Sequence, residues 1–373
     1  MHHRRELLSA VGATLLAGCV GGGAGGEGNT TTTATTTQST TTSTENTAAT
    51  PDPDVDDASL LLNWKPNGLH VPYYTARAKG FYEDRGLPLA SIDPGEGSDF
   101  SAKQTGLGNV AFGITSSDQV LNINSRGVSS VAVGVMMQKT PVVVFSTEEV
   151  LGEPLTSVDQ LEGKTVGTGP GMVKLLTRLL LERRGILDSV EMVSTGYDTV
   201  QKVLAGDVDA AGGVFGDAIA AQHQGATTHS IPVGNTIPSY GHVIATAPQY
   251  AEEHPDAVRA FLQGTAKGVA YAMNNPAEGV DFLLEANPVL EESRAQVRDN
   301  WTRMADGFVL SEPVRESGWG WSTETPWQTM YEALRGADLL GGSVDPSSVW
   351  TNEFLDTEYR YVDSFADVVT SGT

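Results

Sequence analysis

Short β-rich segments alternate with amphipathic helical segments along the chain after residue 58, and this alternation most constrains the fold. The predicted strands span residues 60–62, 110–112, 131–135, 142–144, 165–166, 191–193, 210–211 and 243–245. Strand–helix alternation of this kind is typical of α/β domains with largely parallel sheets. We therefore predict an α/β fold, and the sequence shows no internal repeat of fixed period.

The clearest predicted helix spans residues 172–184. Apolar residues recur there at the spacing of a helix with one buried face, namely Met172, Leu175, Leu176, Leu179 and Leu180. Gly185 follows as a stop signal. A second predicted helix begins at Pro255 and ends before Asn275, and it buries Val258, Phe261, Leu262 and Val269.

The N-terminal segment has the organisation of an export signal. Arg4 and Arg5 precede a short apolar stretch, residues 7–16, and then Leu-Ala-Gly-Cys at 16–19. This stretch is too short to span a bilayer, which takes about 20 apolar residues. The arginine pair resembles a twin-arginine signal, and residues 16–19 resemble a lipobox. We expect residues 1–19 to be a signal peptide, Cys19 to be lipidated, and the protein to be anchored at the extracellular face of the cell membrane.

Residues 20–58 are rich in glycine and threonine and contain little apolar surface. Such a composition cannot offset the entropy of ordering the chain, so we predict a disordered tether. Asn29 opens an N-glycosylation sequon, but an unmodified spacer fits the sequence equally well. The roughly 300 residues that follow are enough for two domains.

The chain is strongly acidic, with 46 Asp and Glu against 23 Lys and Arg and a net charge of −23. This charge argues against nucleic acid as a partner, because a negative surface repels phosphates. The acidic residues are spread along the sequence, and their repulsion is screened in concentrated salt, where the Debye length is about 3 Å at 1 M. We interpret the charge as a halophilic adaptation. The single cysteine excludes an intrachain disulfide.

Residues 60–87 carry the most specific motif. It contains Asn63-Trp64, Pro66, His70, the tyrosines at 73 and 74, and the segment 78–82, Ala-Lys-Gly-Phe-Tyr. Further matching segments lie at 97–99, 112–113, 161–164, 206–210 and 237–241. Together they resemble the substrate-binding proteins of ABC importers in the thiamine-pyrimidine group, which share a family with a pyridoxal-phosphate-dependent pyrimidine synthase. The resemblance covers most of residues 59–290.

The resemblance implies a two-lobed periplasmic-binding-protein-like fold of type II, with a hinge and a ligand cleft between the lobes. The chain is expected to cross near 145–150 and to return near 240–246. Lobe one is then 59–146 plus 245–373, and lobe two is 147–244. A hinge allows closure around a ligand in a form that a membrane partner can distinguish. The expected partners are an ABC permease and its ATPase subunits, and the receptor is expected to be a monomer without a cofactor or metal.

The first candidate ligand contacts lie just beyond the first predicted strand. The Trp64 indole suits stacking on a flat heteroaromatic ring, and the Asn63 amide suits hydrogen bonds to the ring edge. Ordinary packing is the alternative for Trp64. His70 and Tyr73 are further candidates, although a histidine at a helix start is often structural.

The loop before the predicted helix at 172 supplies three further candidates, Thr168, Gly169 and Gly171. Backbone N–H groups at a helix start bind oxygen-rich groups. A glycine-rich turn before a helix is also common where no ligand binds. This loop lacks the lysine pattern of a nucleotide-binding loop.

The remaining candidates follow other strands. Ser116, Ser117 and Asp118 are placed to hydrogen-bond a ligand, or equally to cap the next helix. Phe215 and Asp217 follow a strand of lobe two and would complete the cleft. Tyr240, beside the return crossing, would close on the ligand.

Binding without catalysis is the favoured function. Thr115 stands where the related synthase has its Schiff-base lysine, Gln119 where it has a second histidine, and the synthase's cysteine cluster is missing. We predict a receptor for a thiamine pyrimidine precursor, of the aminopyrimidine or hydroxymethylpyrimidine type. The alternatives are a receptor for a sulfonate, nitrate or a riboflavin-like compound, and, less favoured, a synthase-like enzyme.

Overall fold

The structure, a computed structural model, describes residues 50–371. The predicted signal peptide, Cys19 and most of the predicted tether lie outside these residues. The described residues form two five-stranded sheets. Their strands are β1 (Ala58–Leu61), β2 (Leu89–Asp93), β3 (Phe112–Ser116), β4 (Val131–Val135), β5 (Val142–Thr147), β6 (Thr165–Thr168), β7 (Glu191–Ser194), β8 (Ala210–Val214), β9 (Thr228–Pro232) and β10 (His242–Thr246).

Helices surround both sheets. In the described range they are α1 (Val71–Ala78), α2 (Ser98–Gly106), α3 (Ser117–Ser125), α4 (Glu148–Leu151), α5 (Met172–Arg183), α6 (Thr199–Leu204), α7 (Phe215–His223), α8 (Pro248–Glu253), α9 (Pro255–Asn274), α10 (Pro276–Ala286), α11 (Arg294–Met304), α12 (Glu312–Ser317), α13 (Glu324–Gly336) and α14 (Phe365–Ser371). Short 3-10 turns span Gly68–His70, Glu83–Arg85, Val158–Leu161, Leu187–Ser189, Val233–Asn235 and Pro288–Ser293, and a π-helical turn spans Ala305–Val309. The helices predicted from residues 172 and 255 are confirmed as α5 and α9.

The two sheets share one strand pattern. The first has the order β2-β1-β3-β10-β4, and the second has the order β7-β6-β8-β5-β9. In the first sheet β1 pairs in parallel with β2 and β3, whereas β10 runs antiparallel to both of its neighbours. In the second, β6 pairs in parallel with β7 and β8, and β5 is the antiparallel strand. The predicted parallel direction therefore holds for four strands of each sheet and fails for β5 and β10.

The chain changes sheets twice. It leaves the first sheet between Val135 and Val142 and returns between Pro232 and His242. The first change comes before the expected crossing at 145–150, and the second overlaps the expected return at 240–246. The two connections are bonded to each other, because the Gly241 N–H donates to the Met137 carbonyl at 3.0 Å. The lobe boundaries at 147 and 244 stay a prediction.

Helix α9 packs against the first sheet through its apolar face. The Phe261 ring stacks on Phe112 with 4.0 Å between centroids and on Tyr82 with 5.3 Å, and all three side chains are buried. Burial of a side chain of this size stabilises a fold by about 1.5–3 kcal/mol. This packing holds α9 against the first sheet at the start of β3.

The C-terminal segment covers the outer strand of the first sheet. Ala132 of β4 donates its N–H to the Val349 carbonyl at 2.9 Å, and Val135 donates to the Gly320 carbonyl at 2.8 Å. These bonds satisfy backbone groups that an uncovered edge strand would offer to another chain. Residues far apart in sequence thus complete one sheet.

Candidate functional site

A cleft of about 320 Å³ lies where strands of both sheets end. It is lined by loops that follow β1, β2, β6 and β7, by the end of β8 and the start of α7, by His242 at the start of β10, and by three residues between 290 and 300. Open α/β sheets bind ligands at the carboxyl ends of their strands. The position and size of the cleft therefore suit a small molecule.

Two aromatic side chains from different sheets meet at the cleft. Trp64 follows β1 and Tyr197 follows β7, and their ring centroids lie 4.5 Å apart with an interplanar angle of 39°. The Lys65 ammonium lies 4.1 Å from the centroid of the Tyr197 ring. Because Tyr197 remains 46% exposed, these rings can pack against a bound flat group.

Two glycine turns bring the loops of the two sheets into contact. A Cβ placed on Gly97 would lie 2.5 Å from Asp99 Oδ1, and one placed on Gly171 would lie 2.8 Å from the same atom. Gly171 also has a φ of +64°, which side chains other than glycine rarely adopt. The loop before α5 therefore serves as a contact between the two sides of the cleft.

Asn63 connects two buried histidines in the cleft wall. Its Oδ1 lies 2.9 Å from Nε2 of His70, and its Nδ2 lies 3.0 Å from Nε2 of His242. The two imidazole rings are nearly parallel, with 5.9 Å between their centroids and an interplanar angle of 5°. All three side chains are buried, and all three line the cleft.

Burial makes both histidines neutral at pH 7. It lowers the pKa of His242 to about 4. It also lowers the pKa of His70 well below the ordinary value, with a smaller contribution from the neighbouring His242. The pair therefore offers the cleft hydrogen-bonding nitrogens rather than positive charge.

Asp217 supplies a carboxylate to the cleft. Its Oδ2 accepts a hydrogen bond from the Val214 N–H at 2.7 Å, which caps the start of α7. Burial raises the pKa of Asp217 to about 6, while the Val214 N–H opposes that shift. Asn300 of α11 also lines the cleft, and its buried Oδ1 has no hydrogen-bond partner among the described residues.

Five of the predicted site residues line the cleft. They are Asn63, Trp64, His70, Gly169 and Asp217. A Cβ placed on Gly169 would lie 4.0 Å from the tip of the Trp64 indole. The structure thus brings together candidates from two strand ends of the second sheet and one of the first.

Three other predicted residues border the cleft without lining it. Thr168 is the buried last residue of β6, and Gly171 caps the start of α5. Phe215 begins α7, but its ring stacks on Phe308 with 4.8 Å between centroids. Packing between elements explains the position of the Phe215 ring.

Serines 116 and 117 and Asp118 lie at the junction of β3 and α3. All three are buried, and the Ser117 hydroxyl donates to the Tyr240 carbonyl at 3.0 Å. The Gln119 amide donates to Asp118 Oδ2 at 2.7 Å, and burial raises the pKa of Asp118 to about 6. None of these three described residues lines the cleft.

Tyr73 and Tyr240 also lie away from the cleft. Tyr73 is fully buried in α1 within the core of the first sheet, and burial raises the pKa of its phenol. The Tyr240 hydroxyl lies 3.0 Å from Thr323 Oγ1 and accepts the Thr323 N–H at 2.9 Å, which ties it to the start of α13. Both are explained by packing in this structure.

Tyr197, His242 and Asn300 line the cleft although the sequence did not predict them as site residues. Tyr197 follows a strand end, so the rule that selected Asn63 and Trp64 could have found it. His242 begins an antiparallel strand, and Asn300 lies on a helix remote in sequence. No local signal marks those two.

The part of the chain from 50 to 371 shows neither a group of side chains suited to a metal ion nor a membrane-spanning helix. No three His, Cys, Asp or Glu side chains in the range 50–371 are grouped so that they could hold a metal ion. No helix in that part of the chain is both long and apolar enough to span a bilayer.

A known family matches more than half of the sequence. The match is to the family described as NMT1/THI5 like, and it extends over residues 67–279. The chain belongs to the NMT1/THI5-like family. This match includes His70 and Asp217 and ends within α10.

Three curated relatives of this NMT1/THI5-like chain cover most of its length. Riboflavin-binding protein RibY of Chloroflexus aurantiacus is 26% identical, over 81% of this chain and 87% of its own. The 4-amino-5-hydroxymethyl-2-methylpyrimidine phosphate synthase of Legionella pneumophila is 24% identical, over 81% and 93%. The formylaminopyrimidine-binding protein of Halalkalibacterium halodurans is 25% identical, over 66% and 77%.

Solved structures share the fold at low sequence identity. The periplasmic nitrate-binding protein NrtA of Synechocystis has a TM-score of 0.66 at 12% identity, covering 85% of this chain and 91% of its own. The alkanesulfonate-binding protein SsuA of Xanthomonas axonopodis has a TM-score of 0.63 at 13% identity, covering 80% and 98%. The NMT1/THI5-like chain therefore has the two-lobed periplasmic-binding-protein fold that its sequence predicts.

Proposed function

We propose that this protein is the substrate-binding receptor of an ABC importer and captures a flat, uncharged heteroaromatic solute, with a thiamine pyrimidine precursor as the favoured ligand. The observation that carries the proposal is the Trp64–Tyr197 pair, which places two aromatic rings from opposite sides of the cleft 4.5 Å apart. Aromatic rings recognise a flat ligand by stacking on its face. The similarity to a formylaminopyrimidine-binding protein supports the same ligand class.

The charges in the cleft disfavour nitrate and sulfonates. Among the described lining residues Lys65 is the sole lysine or arginine, and its ammonium lies over the Tyr197 ring. Asp217 adds a carboxylate. An anion would otherwise bind at the start of α5, but the Asp99 carboxyl lies there, close to Gly171. An anion would therefore meet negative groups at two places.

The residues at the synthase positions support binding rather than catalysis. Thr115 donates to the Ser98 carbonyl at 2.7 Å, and Gln119 bonds to Asp118. Both are buried, and neither is a cleft-lining residue in the described chain. An amine is needed to form a Schiff base with pyridoxal phosphate, and neither side chain has one that can act so.

A flavin is the second candidate ligand. The match to the riboflavin-binding protein covers more of this chain than the match to the formylaminopyrimidine-binding protein. The cleft volume of about 320 Å³ lies at the small end of the roughly 300–1,000 Å³ usual for ligand pockets. A pyrimidine therefore fits this volume with less rearrangement than a three-ring flavin.

Titration calorimetry of the purified protein in molar salt tests the proposal. The probes are formylaminopyrimidine, 4-amino-5-hydroxymethyl-2-methylpyrimidine, riboflavin, taurine and nitrate. One-to-one binding of a pyrimidine is expected, with affinity lowered tenfold or more in Trp64→Ala, which corresponds to about 1.4 kcal/mol. Trp321→Ala, at a partly buried tryptophan outside the cleft, is the matched control. Binding of taurine or nitrate alone, or equal affinity in Trp64→Ala, would refute the proposed ligand class.

The proposed location depends on Cys19 and the segment before it. We propose that the protein is exported and held at the extracellular face of the membrane by a lipid on Cys19, within reach of the permease and ATPase subunits. Mass spectrometry of the native N-terminus tests this directly. Lipid attached to Cys19 as the first residue is expected, whereas an N-terminus that retains residues 1–18 would contradict it.

A further inference from the structure

The hydrogen bonds around His70 have a defined direction because they begin at a backbone amide. The Asn67 N–H donates to Nδ1 of His70 at 3.3 Å. A backbone N–H can only donate, so Nδ1 must accept, and the proton of the neutral imidazole is on Nε2. The capping geometry of the turn Gly68–His70 holds this contact in place.

The hydrogen bond from His70 to Asn63 also determines which atom donates between Asn63 and His242. The protonated Nε2 of His70 donates to Asn63 Oδ1 at 2.9 Å, which sets the orientation of the Asn63 amide. The Asn63 Nδ2 group then donates to Nε2 of His242 at 3.0 Å. Because Nε2 of His242 accepts, the proton of that neutral imidazole is on Nδ1. We call these three side chains the histidine relay.

The relay ends at an unpaired donor in the cleft wall. His242 lines the cleft, is 1% exposed, and its Nδ1 has no hydrogen-bond partner among the described residues. A buried N–H without a partner costs free energy, so a state that supplies an acceptor is favoured. Every other strong hydrogen-bonding atom of the two relay imidazoles is already paired.

We propose that His242 Nδ1–H is a specificity-determining donor that binds a neutral acceptor, a ring nitrogen or a carbonyl oxygen, on the ligand of the cleft. This inference rests on the proposed function for the cleft as a small-solute site. The inference also says which ligands the site rejects. A ligand that presents an N–H at this position would face the N–H of His242 and could not form the hydrogen bond. His70 and Asn63 act through His242 by fixing its tautomer, and are positioning residues in this respect.

The first test measures the tautomers in the absence of ligand. Nitrogen-15 spectra of the imidazole groups in the purified protein at pH 7 distinguish Nδ1–H from Nε2–H, and His70→Gln and His242→Gln assign the signals. We expect Nε2–H for His70 and Nδ1–H for His242. An Nε2–H tautomer or a charged ring at His242 would overturn the relay.

The second test compares two substitutions at His242. In His242→Gln the side chain still reaches Asn63 with an acceptor but lacks a donor at the Nδ1 position, whereas His242→Asn places an amide N–H near that position. With formylaminopyrimidine as the probe, we expect at least tenfold weaker binding in His242→Gln and a smaller loss in His242→Asn. Equal affinity in wild type and a folded His242→Gln variant would overturn the recognition role.

The two tests also separate this inference from the proposed function. If the wild-type protein binds none of the pyrimidine and flavin probes, the proposed function fails and the recognition role fails with it. If a probe binds but His242 has the other tautomer, the proposed function stands and the relay alone is refuted. A downfield shift of the His242 Hδ1 signal on probe binding is the expected positive result.

Discussion

Trp64 and Tyr197 follow strands of different sheets, yet their rings meet with 4.5 Å between centroids. Each ring is carried by the loop directly beyond a strand end, Trp64 after β1 and Tyr197 after β7. A change in the angle between the two sheets would change this distance before it disturbed either core. The pair therefore links ligand contact to the angle between the two sheets.

Removal of the Tyr197 ring should weaken ligand binding without unfolding the protein. We expect Tyr197→Ala to lower the affinity for a pyrimidine probe by about threefold to tenfold, because aromatic pairs contribute about 0.5–1.5 kcal/mol beyond buried area. Tyr197→Phe should bind like wild type. Tyr331→Ala, at a partly buried tyrosine of α13 outside the cleft, is the control for calorimetry. A full loss of affinity in Tyr197→Phe would instead assign the role to the hydroxyl.

Crowding at Gly171 should separate the two sides of the cleft. Gly171→Ala places a Cβ 2.8 Å from Asp99 Oδ1 at a φ of +64°. Gly185→Ala imposes a similar backbone strain, at a φ of +73°, with no atom within 4 Å of the new Cβ. Both variants should lose about 1 kcal/mol of unfolding free energy. Only Gly171→Ala should bind the probe more weakly in calorimetry, and equal binding in the two variants would contradict the contact.

Asp118 should make the protein less stable as the pH rises. Its pKa is raised to about 6 by burial, above the ordinary value near 4 of an unfolded carboxyl. The native state therefore binds the proton more tightly, and this contribution is lost between pH 4 and pH 6. Relative to Asp118→Asn, wild type should lose about 3 kcal/mol of unfolding free energy over this interval. Urea titrations at fixed molar salt measure it, with the exposed Asp188→Asn as control.

His242 should act in the opposite direction. Burial lowers its pKa to about 4, below the value near 6.5 of an unfolded histidine. The unfolded state then binds the proton more tightly, so the contribution of His242 to stability falls by about 3 kcal/mol as the pH drops from 6.5 to 4. His242→Gln should remove this loss, and His223→Gln, at a more exposed histidine, is the control variant. Parallel pH profiles for wild type and His242→Gln would contradict the buried neutral state.

The sequence predicted the interior of the fold better than its edges. The central strands β5 and β10, and the outer strand β4 that the C-terminal segment covers, are buried along their whole length, and their continuous apolar runs predicted them. β2 and β9, which were missed, are both sheet edges with exposed positions, and β9 ends in a proline, although the edge strand β7 was predicted. A continuous apolar run in the sequence indicates a strand that is buried on both faces, and a strand with exposed positions has no such run.

The sequence could predict a site residue only where that residue lies next to a predicted strand. Asn63, Trp64 and Asp217 are encoded locally, because each follows a predicted strand and therefore lies at a strand end. Asn300 could not be selected in this way, since only the packing of α11 beside α7 brings it to Gly216. Tyr73 failed to line the cleft for the converse reason. It shares the motif, but its position on α1 directs it into the core.

Insertion of β10 between β3 and β4 has a consequence for the timing of synthesis. β3 and β4 are separated by only a short helix in the sequence, but the strand that lies between them in the sheet is absent until residues 242–246 have been made. The covering segment around Val349 emerges later still. At about 5–20 residues per second a ribosome needs tens of seconds for this. The second sheet is contiguous in sequence from β5 to β9 and can form within that interval. The first sheet, whose β1 to β4 are made first, is therefore completed last.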